Sequence, residues 1–485
     1  MPAKNSSVVI VARFLKANHY NETLTAFLAE AGLTEDEVTL NADDWTIEKI
    51  LEEKKQYDVS LAYEKKGDDG DAGWSSPAPS KAVEPENFPA ASNILCVSGF
   101  SGDGEGAVFV TAADRSWNHL LPHPPFEWRT AYENPHGSPI LSMSSLEGKY
   151  IFSTSMSGQL MLHARSGQLI DSVRDHLKYA VQVVSGYAQH GRWIVATAGW
   201  DQKVHIYAPE HDLLENFQPS GNNLRDEPII PGLLRDPIHT VLTPTVPESM
   251  ALVQHPDTHD LYLITSRRDS TFLYYYHITT TSSESSSSRS SETTYSVQES
   301  GRQNLAPHSN AWVAFTPSCL APCPTDPTLL AIATSHLPHM KLLIVRLLFP
   351  TGSYSSSNSS ASELLSQTQA GQARAALAIQ DREDAAIKLH VNTMAPQTPY
   401  STPQVVWRPG GKGVFVNADD GVIRGLDTQT GKVVATLRGH EVGSKVRTLW
   451  AGYEDDGSPN DNKKEILVSG GFDKRVFFWT VEDQS

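Results

Sequence analysis

Cysteine is nearly missing from this sequence: Cys96, Cys319 and Cys323 are the only three in 485 residues. That is too few for a disulfide framework and suits a reducing compartment. Long apolar runs are missing as well. Val8 to Ala12 is too short for a signal peptide, and Leu342 to Phe349 is broken by Arg346. Neither can span a bilayer. A cytoplasmic or nuclear location without membrane contact is therefore expected. Cations are scarce: 39 Lys and Arg stand against 56 Asp and Glu, a formal charge of −17. Such a surface repels phosphate backbones, so bulk charge argues against a nucleic-acid partner. No Gly-x-Ser-x-Gly elbow, His-Glu-x-x-His helix or kinase signature occurs, so neither an enzyme nor a bound cofactor is expected.

Two clusters imitate chemistry. Cys319, Cys323, His336 and His339 approach zinc-finger spacing, but the histidines are one residue too close. Pro338 between them opposes the helix a finger needs. The segment Gly99 to Gly106 is glycine-rich but precedes a strand, lacks a Lys and carries acids. It reads as a loop between strands rather than a phosphate cradle.

The chain has a strong ending. Ile466 to Gly470 is an apolar run, Gly471-Phe472-Asp473 a turn, and Val476 to Trp479 a second run. Two strands joined by a tight turn follow. With Gly439-His440 upstream, this resembles a WD repeat, the four-stranded blade of a β-propeller. The resemblance implies a buried network of His440, Ser469, Asp473 and Trp479. Weaker versions of the same turn occur at Asp114, at Met156 to Gly158, at Trp200-Asp201, at Arg268-Asp269 and at Asp419 to Gly421. The region from Ala331 to Phe349 supplies the poorest unit. A mainly β, seven-bladed propeller over residues 92–485 is expected, with six blades as the competing count.

Each blade buries its faces only against its neighbours, so the ring must close. The chain ends just after blade seven's third strand, so the outer strand should come from residues 80–92. Serine-rich insertions near 279–300 and 350–386 read as disordered, the second with a surface helix inside it. The resemblance places the residue before each turn Asp on the top rim. Met156, Trp200, Arg268, Asp419 and Phe472 are then the candidate protein-binding positions.

Residues 1–66 read as a separate helical module. Ile10, Phe14 and Leu15 form one helical face, and Leu24, Phe27 and Leu28 a second. Asn18 to Asn21 makes the turn, with Asn21 a possible N-cap, and Gly32 ends the second helix. A further helix is expected over 46–66 and a flexible linker over 67–91. The segment resembles the LisH motif through Phe14-Leu15, His19-Tyr20, Thr23-Leu24, Phe27-Leu28, Glu30 and Gly32-Leu33. That resemblance implies a homodimer through Ile10, Phe14, Leu15, Tyr20, Leu24, Phe27 and Leu28. Proteins pairing these modules serve in ubiquitin ligases as substrate-recognition subunits, in transcriptional corepressor assemblies and in dynein regulation. The combination implies a scaffold that binds protein partners inside a larger complex.

Overall fold

A computed structural model describes residues 6–39, 46–51, 64–67, 74, 77–89, 91–102, 104–132, 134–210, 214, 230–283, 292–307, 315–350, 369–455, 457 and 464–482. The chain divides into two compact units, residues 1–63 with 306–314, and 64–305 with 315–485.

In the first unit, helices Ser7–Ala17 and Asn21–Ala31 form a hairpin. Ser6 caps the first by accepting the Val9 N–H at 3.4 Å. The expected cap at Asn21 is not used. Tyr20 holds that position without a side-chain hydrogen bond, and Asn21 is already helical. The turn takes its left-handed residue at His19, with φ 61°. Gly32, with φ 64°, ends the second helix as expected for a residue without a Cβ. Val9, Ala12, Leu24, Leu28, Leu33 and Val38 make a small core. Residues 47–51 are helical, and the rest of the expected 46–66 helix up to 63 lies outside the described residues. Its end at 66 is corrected. Lys65 exchanges backbone hydrogen bonds with His390 at 2.8 and 2.9 Å, so this stretch pairs as strand in the second unit.

The second unit is a seven-bladed propeller. The described residues form seven four-stranded antiparallel sheets. Blade one runs from Ile94 to Tyr132, blade two from Ile140 to Val173, and blade three from Ala180 to Leu242. Blade four spans Pro247 to Asn304, blade five Thr316 to Pro396, and blade six Val405 to Arg438. Blade seven takes three strands from Val446 to Thr480 and its outermost, Lys81–Val83, from the far end of the chain. Lys81 lies opposite Thr480, Ala82 opposite Trp479, and Val83 opposite Phe478. The ring thus closes by a strand from the region that blade seven's missing edge requires.

One expectation of disorder, that over 279–300, is corrected, and the helix expected inside the second insertion is observed. The Ser/Thr-rich stretch flanks one long hairpin, Phe272–Ser283 against Glu292–Asn304, in register down to Ser283 and Glu292. Its Thr, Tyr and Val residues favour a pleated surface, which a reading by polarity overlooks. Residues 284–291 and 351–368 lie outside the described set. The helix Gln369–Ala386 forms, and its Glu383 carboxylate accepts the Asn304 N–H at 2.7 Å.

The expected linker over 67–91 is corrected too. Trp74 lies edge-on to Phe415 at 5.2 Å and under the Arg408 guanidinium at 4.6 Å. A Cβ at Gly425 would lie 2.2 Å from the Trp74 ring, so the indole needs that glycine floor. Arg408 also reaches the Pro77 carbonyl at 2.8 Å and the Glu465 carboxylate at 2.8 Å. Linker-like composition here conceals Trp74 and Pro77, which lie against blade six.

One rule ties the blades together. Each inner strand but that of blade six carries a β-bulge near its start, followed by a residue bonded to the next blade. Ser142 accepts the Val183 N–H at 3.2 Å, and Ser249 the Leu320 N–H at 3.0 Å. Thr448 accepts the Val97 N–H at 3.1 Å. Gln182 both donates to the Met250 carbonyl at 3.1 Å and accepts its N–H at 2.8 Å. Blade five bonds through Cys319 Sγ to the Val405 carbonyl at 3.8 Å. Asn417 joins blade six to blade seven through the Val446 carbonyl at 2.8 Å. Buried inner-strand polar groups are thereby satisfied, and each satisfied pair fixes one seam.

Candidate protein-binding face and channel

The five rim positions read from the turns share one face of the propeller. Met156 donates its N–H to Pro139 O at 3.1 Å, Trp200 to Tyr179 O at 2.9 Å, Arg268 to Val246 O at 2.9 Å and Phe472 to Lys445 O at 2.9 Å. In each blade the acceptor immediately precedes the inner strand. Ala113 makes the same bond to Asn93 O at 2.9 Å in blade one. Asp419 departs, bonding to Pro396 O at 3.2 Å, well before its inner strand Val405–Trp407.

Their side chains differ in availability. Trp200 is 47% exposed and Phe472 39%. Arg268 is exposed and paired with Glu248 at 2.7 Å. Met156 is half-buried. The Asp419 carboxylate is taken by Thr398, Ser401 and Lys445, so it braces a loop.

Many exposed large apolar side chains of the propeller crowd the same face, whereas Tyr187, Leu377, Ile379, Val433 and Tyr453 lie elsewhere. Leu177, Leu337, Tyr400 and Val442 are all more than half exposed, and all lie in turns or loops entering this end of the ring. Leu242, 74% exposed, ends blade three's outer strand beside the Gln202 turn, to which Thr243 bonds. Tyr179 rests against Trp200 with ring centroids 5.0 Å apart. A channel of about 1160 Å³ opens here, walled by blades one to five and seven and by the 399–404 loop that enters blade six. Trp200 and Arg268 line it, while Met156, Asp419 and Phe472 stand outside its wall.

The sequence reading missed the bulge residues. Leu95, Leu141, Val181, Glu248, Ser318 and Arg447 each fall at the bulge of their inner strand, and all six line the channel. A bulge adds one residue and re-aims its side chain. The signal is a recurring apolar, variable, polar, apolar quartet. It occurs as Ile140-Leu141-Ser142-Met143 and again as Val446-Arg447-Thr448-Leu449.

Beneath the turns lie the strand ties. His440 Nδ1 meets Asp473 at 2.9 Å, and its Nε2 meets Ser469 Oγ at 2.8 Å. Trp479 Nε1 donates to the same Oγ at 2.9 Å. The imidazole bonding holds the Asp473 carboxyl below its ordinary range, against the opposing effect of burial. Blade three repeats the tie as His176 with Asp201 and Thr197, both at 2.9 Å. Donor atoms of His176, Asp201 and His205 lie within 4.8 Å of one another. Both His176 ring nitrogens are already bonded, which makes this cluster a strand tie. In blade two the Ser153 hydroxyl bridges His136 at 2.8 Å and His163 at 3.1 Å. Burial pushes both imidazoles down to about 3.

The zinc-like quartet is spread among separate partners. Cys319 bonds Val405 O, Cys323 meets Thr325 Oγ1 at 3.4 Å, and His336 Nδ1 meets His339 O at 3.1 Å. Burial pushes the Cys319 and Cys96 thiols up to about 11, so neither is a ready nucleophile.

The dimerisation positions divide as well. Leu24 and Leu28 are buried in the hairpin's own core and are corrected from interface to core. The helices' short length demands that interior. Ile10, Phe14, Leu15 and Phe27 are half-buried, and Tyr20 is 54% exposed.

Fold and site together define a seven-bladed β-propeller with an N-terminal LisH hairpin and an apolar-rimmed channel mouth. The chain belongs to the UCP007778 family: that family's beta-propeller domain matches residues 139–480 and its LisH domain residues 8–34. No curated protein matches the chain.

Proposed function

We propose that the protein is a non-enzymatic scaffold of the WD-repeat kind, dimeric through its LisH hairpin, that captures partner proteins on the channel-mouth face. The observation carrying this reading is the crowding of exposed apolar side chains onto that face. Leu177, Tyr179, Trp200, Tyr400, Val442 and Phe472 come from five loops and turns at blades three, six and seven. Exposed apolar groups mark interfaces when they cluster, and Trp and Tyr are common anchors. The His440, Ser469, Asp473 and Trp479 tie supports the WD-repeat assignment. Exposed Val8, Val11 and Tyr20 support a partner for the hairpin. Three free cysteines suit the cytosol or nucleus.

Affinity capture with mass spectrometry tests the reading, comparing the full chain with a Trp200→Ala/Phe472→Ala variant. Specific partners should be lost from the variant while fold and molecular mass persist. An unchanged partner set would move capture away from this face.

A further inference from the structure

The ring of bulge residues is chemically lopsided. Leu95, Leu141 and Val181 make blades one to three apolar, whereas Glu248, Ser318 and Arg447 make blades four, five and seven polar. The neighbouring seam side chains are already engaged in ties between blades. Glu248 is engaged by Arg268 at 2.7 Å. The Arg447 guanidinium makes no hydrogen bond or ion pair among the described residues. The group beside it is the Cys96 thiol, which burial keeps protonated and which supplies no countercharge. Burial likewise works against the charge of the Arg447 guanidinium itself. A cation so placed gains from an anion delivered into the channel.

The wall also sets the size of that anion's charge. Its cations are Lys178, Arg268 and Arg447, and its acids Glu248 and Asp269, which leaves one positive charge. A monoanion balances it and a dianion overshoots. A guanidinium matches a carboxylate in fork geometry. Around the ring, Arg447 on blade seven adjoins the apolar stretch beginning at Leu95 on blade one.

We infer that the channel mouth receives a peptide carrying one carboxylate beside an apolar side chain. Arg447 takes the carboxylate, and Leu95, Leu141 and Val181 take the apolar group. This deepens the proposed function and rests on its reading of the face as the capture surface.

The test pans the full chain, R447Q and R447M against random dodecapeptides displayed on phage. Wild-type binders should carry an acidic residue at a fixed distance from an apolar one, and both variants should lose that preference. Apolar binders with one profile on all three proteins would leave the capture face standing and overturn the carboxylate site. No enrichment on any of them would overturn both readings. The selected peptide is then made with Glu, Gln or phosphoserine at the acidic position. Glu should bind wild type about 10- to 100-fold more tightly than Gln. Tightest binding of the phosphoserine form would overturn the choice of a carboxylate. The two variants differ in polarity but not in removing the charge, and thermal unfolding of each separates lost recognition from lost fold.

Discussion

Trp200 and Tyr179 hold each other twice. The Trp200 N–H donates to the Tyr179 carbonyl at 2.9 Å, and the rings lie 5.0 Å apart. A backbone bond thus fixes the turn, and a ring contact fixes the side chain that the turn presents. Trp200 remains 47% exposed even so, which suits an anchor prepared before its partner arrives.

Removing the Ser469 hydroxyl should weaken the whole domain. Ser469→Ala leaves His440 Nε2 and Trp479 Nε1 buried without their shared partner. A loss of about 1–3 kcal/mol is expected, read as a lower urea midpoint at unchanged slope.

Trp74 should behave as core rather than linker. Trp74→Ala removes its contacts with Phe415 and Arg408 and should cost about 3 kcal/mol. A urea midpoint equal to wild type would return this segment to the status of a spacer.

Stability should fall with acid. His136 and His163 are held near 3 in the fold, below the ordinary histidine value of about 6.5. The unfolded chain therefore binds more protons across that interval. The contribution is fully present above pH ~6.5 and is lost as pH falls towards ~3. Chemical denaturation between pH 7 and 4.5 should show the decline, and a His136→Gln/His163→Gln variant should show a shallower one.

The hairpin should dimerise through its outward side chains. Val11→Asp with Tyr20→Asp should halve the mass seen by light scattering without unfolding the propeller, because both side chains are exposed. Leu24→Ala should instead melt the hairpin, since Leu24 belongs to its core.

The sequence showed most of the ring because a blade's turn chemistry is local. Gly471, Asp473 and Trp479 declare a hairpin within ten residues, and the same spacing locates Trp200 and Arg268. The closing strand was legible as a missing edge on blade seven. Long-range features were not. The bulge ring hides because an extra residue breaks the alternation that marks a strand. Trp74 hides in glycine- and proline-rich surroundings, although it packs on Gly413 and Gly425 more than three hundred residues away. The Ser/Thr hairpin hides because pairs such as Thr279 with Ser296 are polar, and the few apolar residues that pack, Ile278, Tyr295 and Val297, are scattered among serine and threonine. Leu24 and Leu28 carried the helical period but not the side of the helix that the hairpin would cover.

The most direct measurement is hydrogen–deuterium exchange of the full chain with and without a captured partner. Protection should fall on the channel-mouth loops around residues 175–180, 199–203, 336–338, 398–402 and 440–445. Protection confined to the outer strands or to the LisH hairpin, with those loops unchanged, would contradict capture on this face.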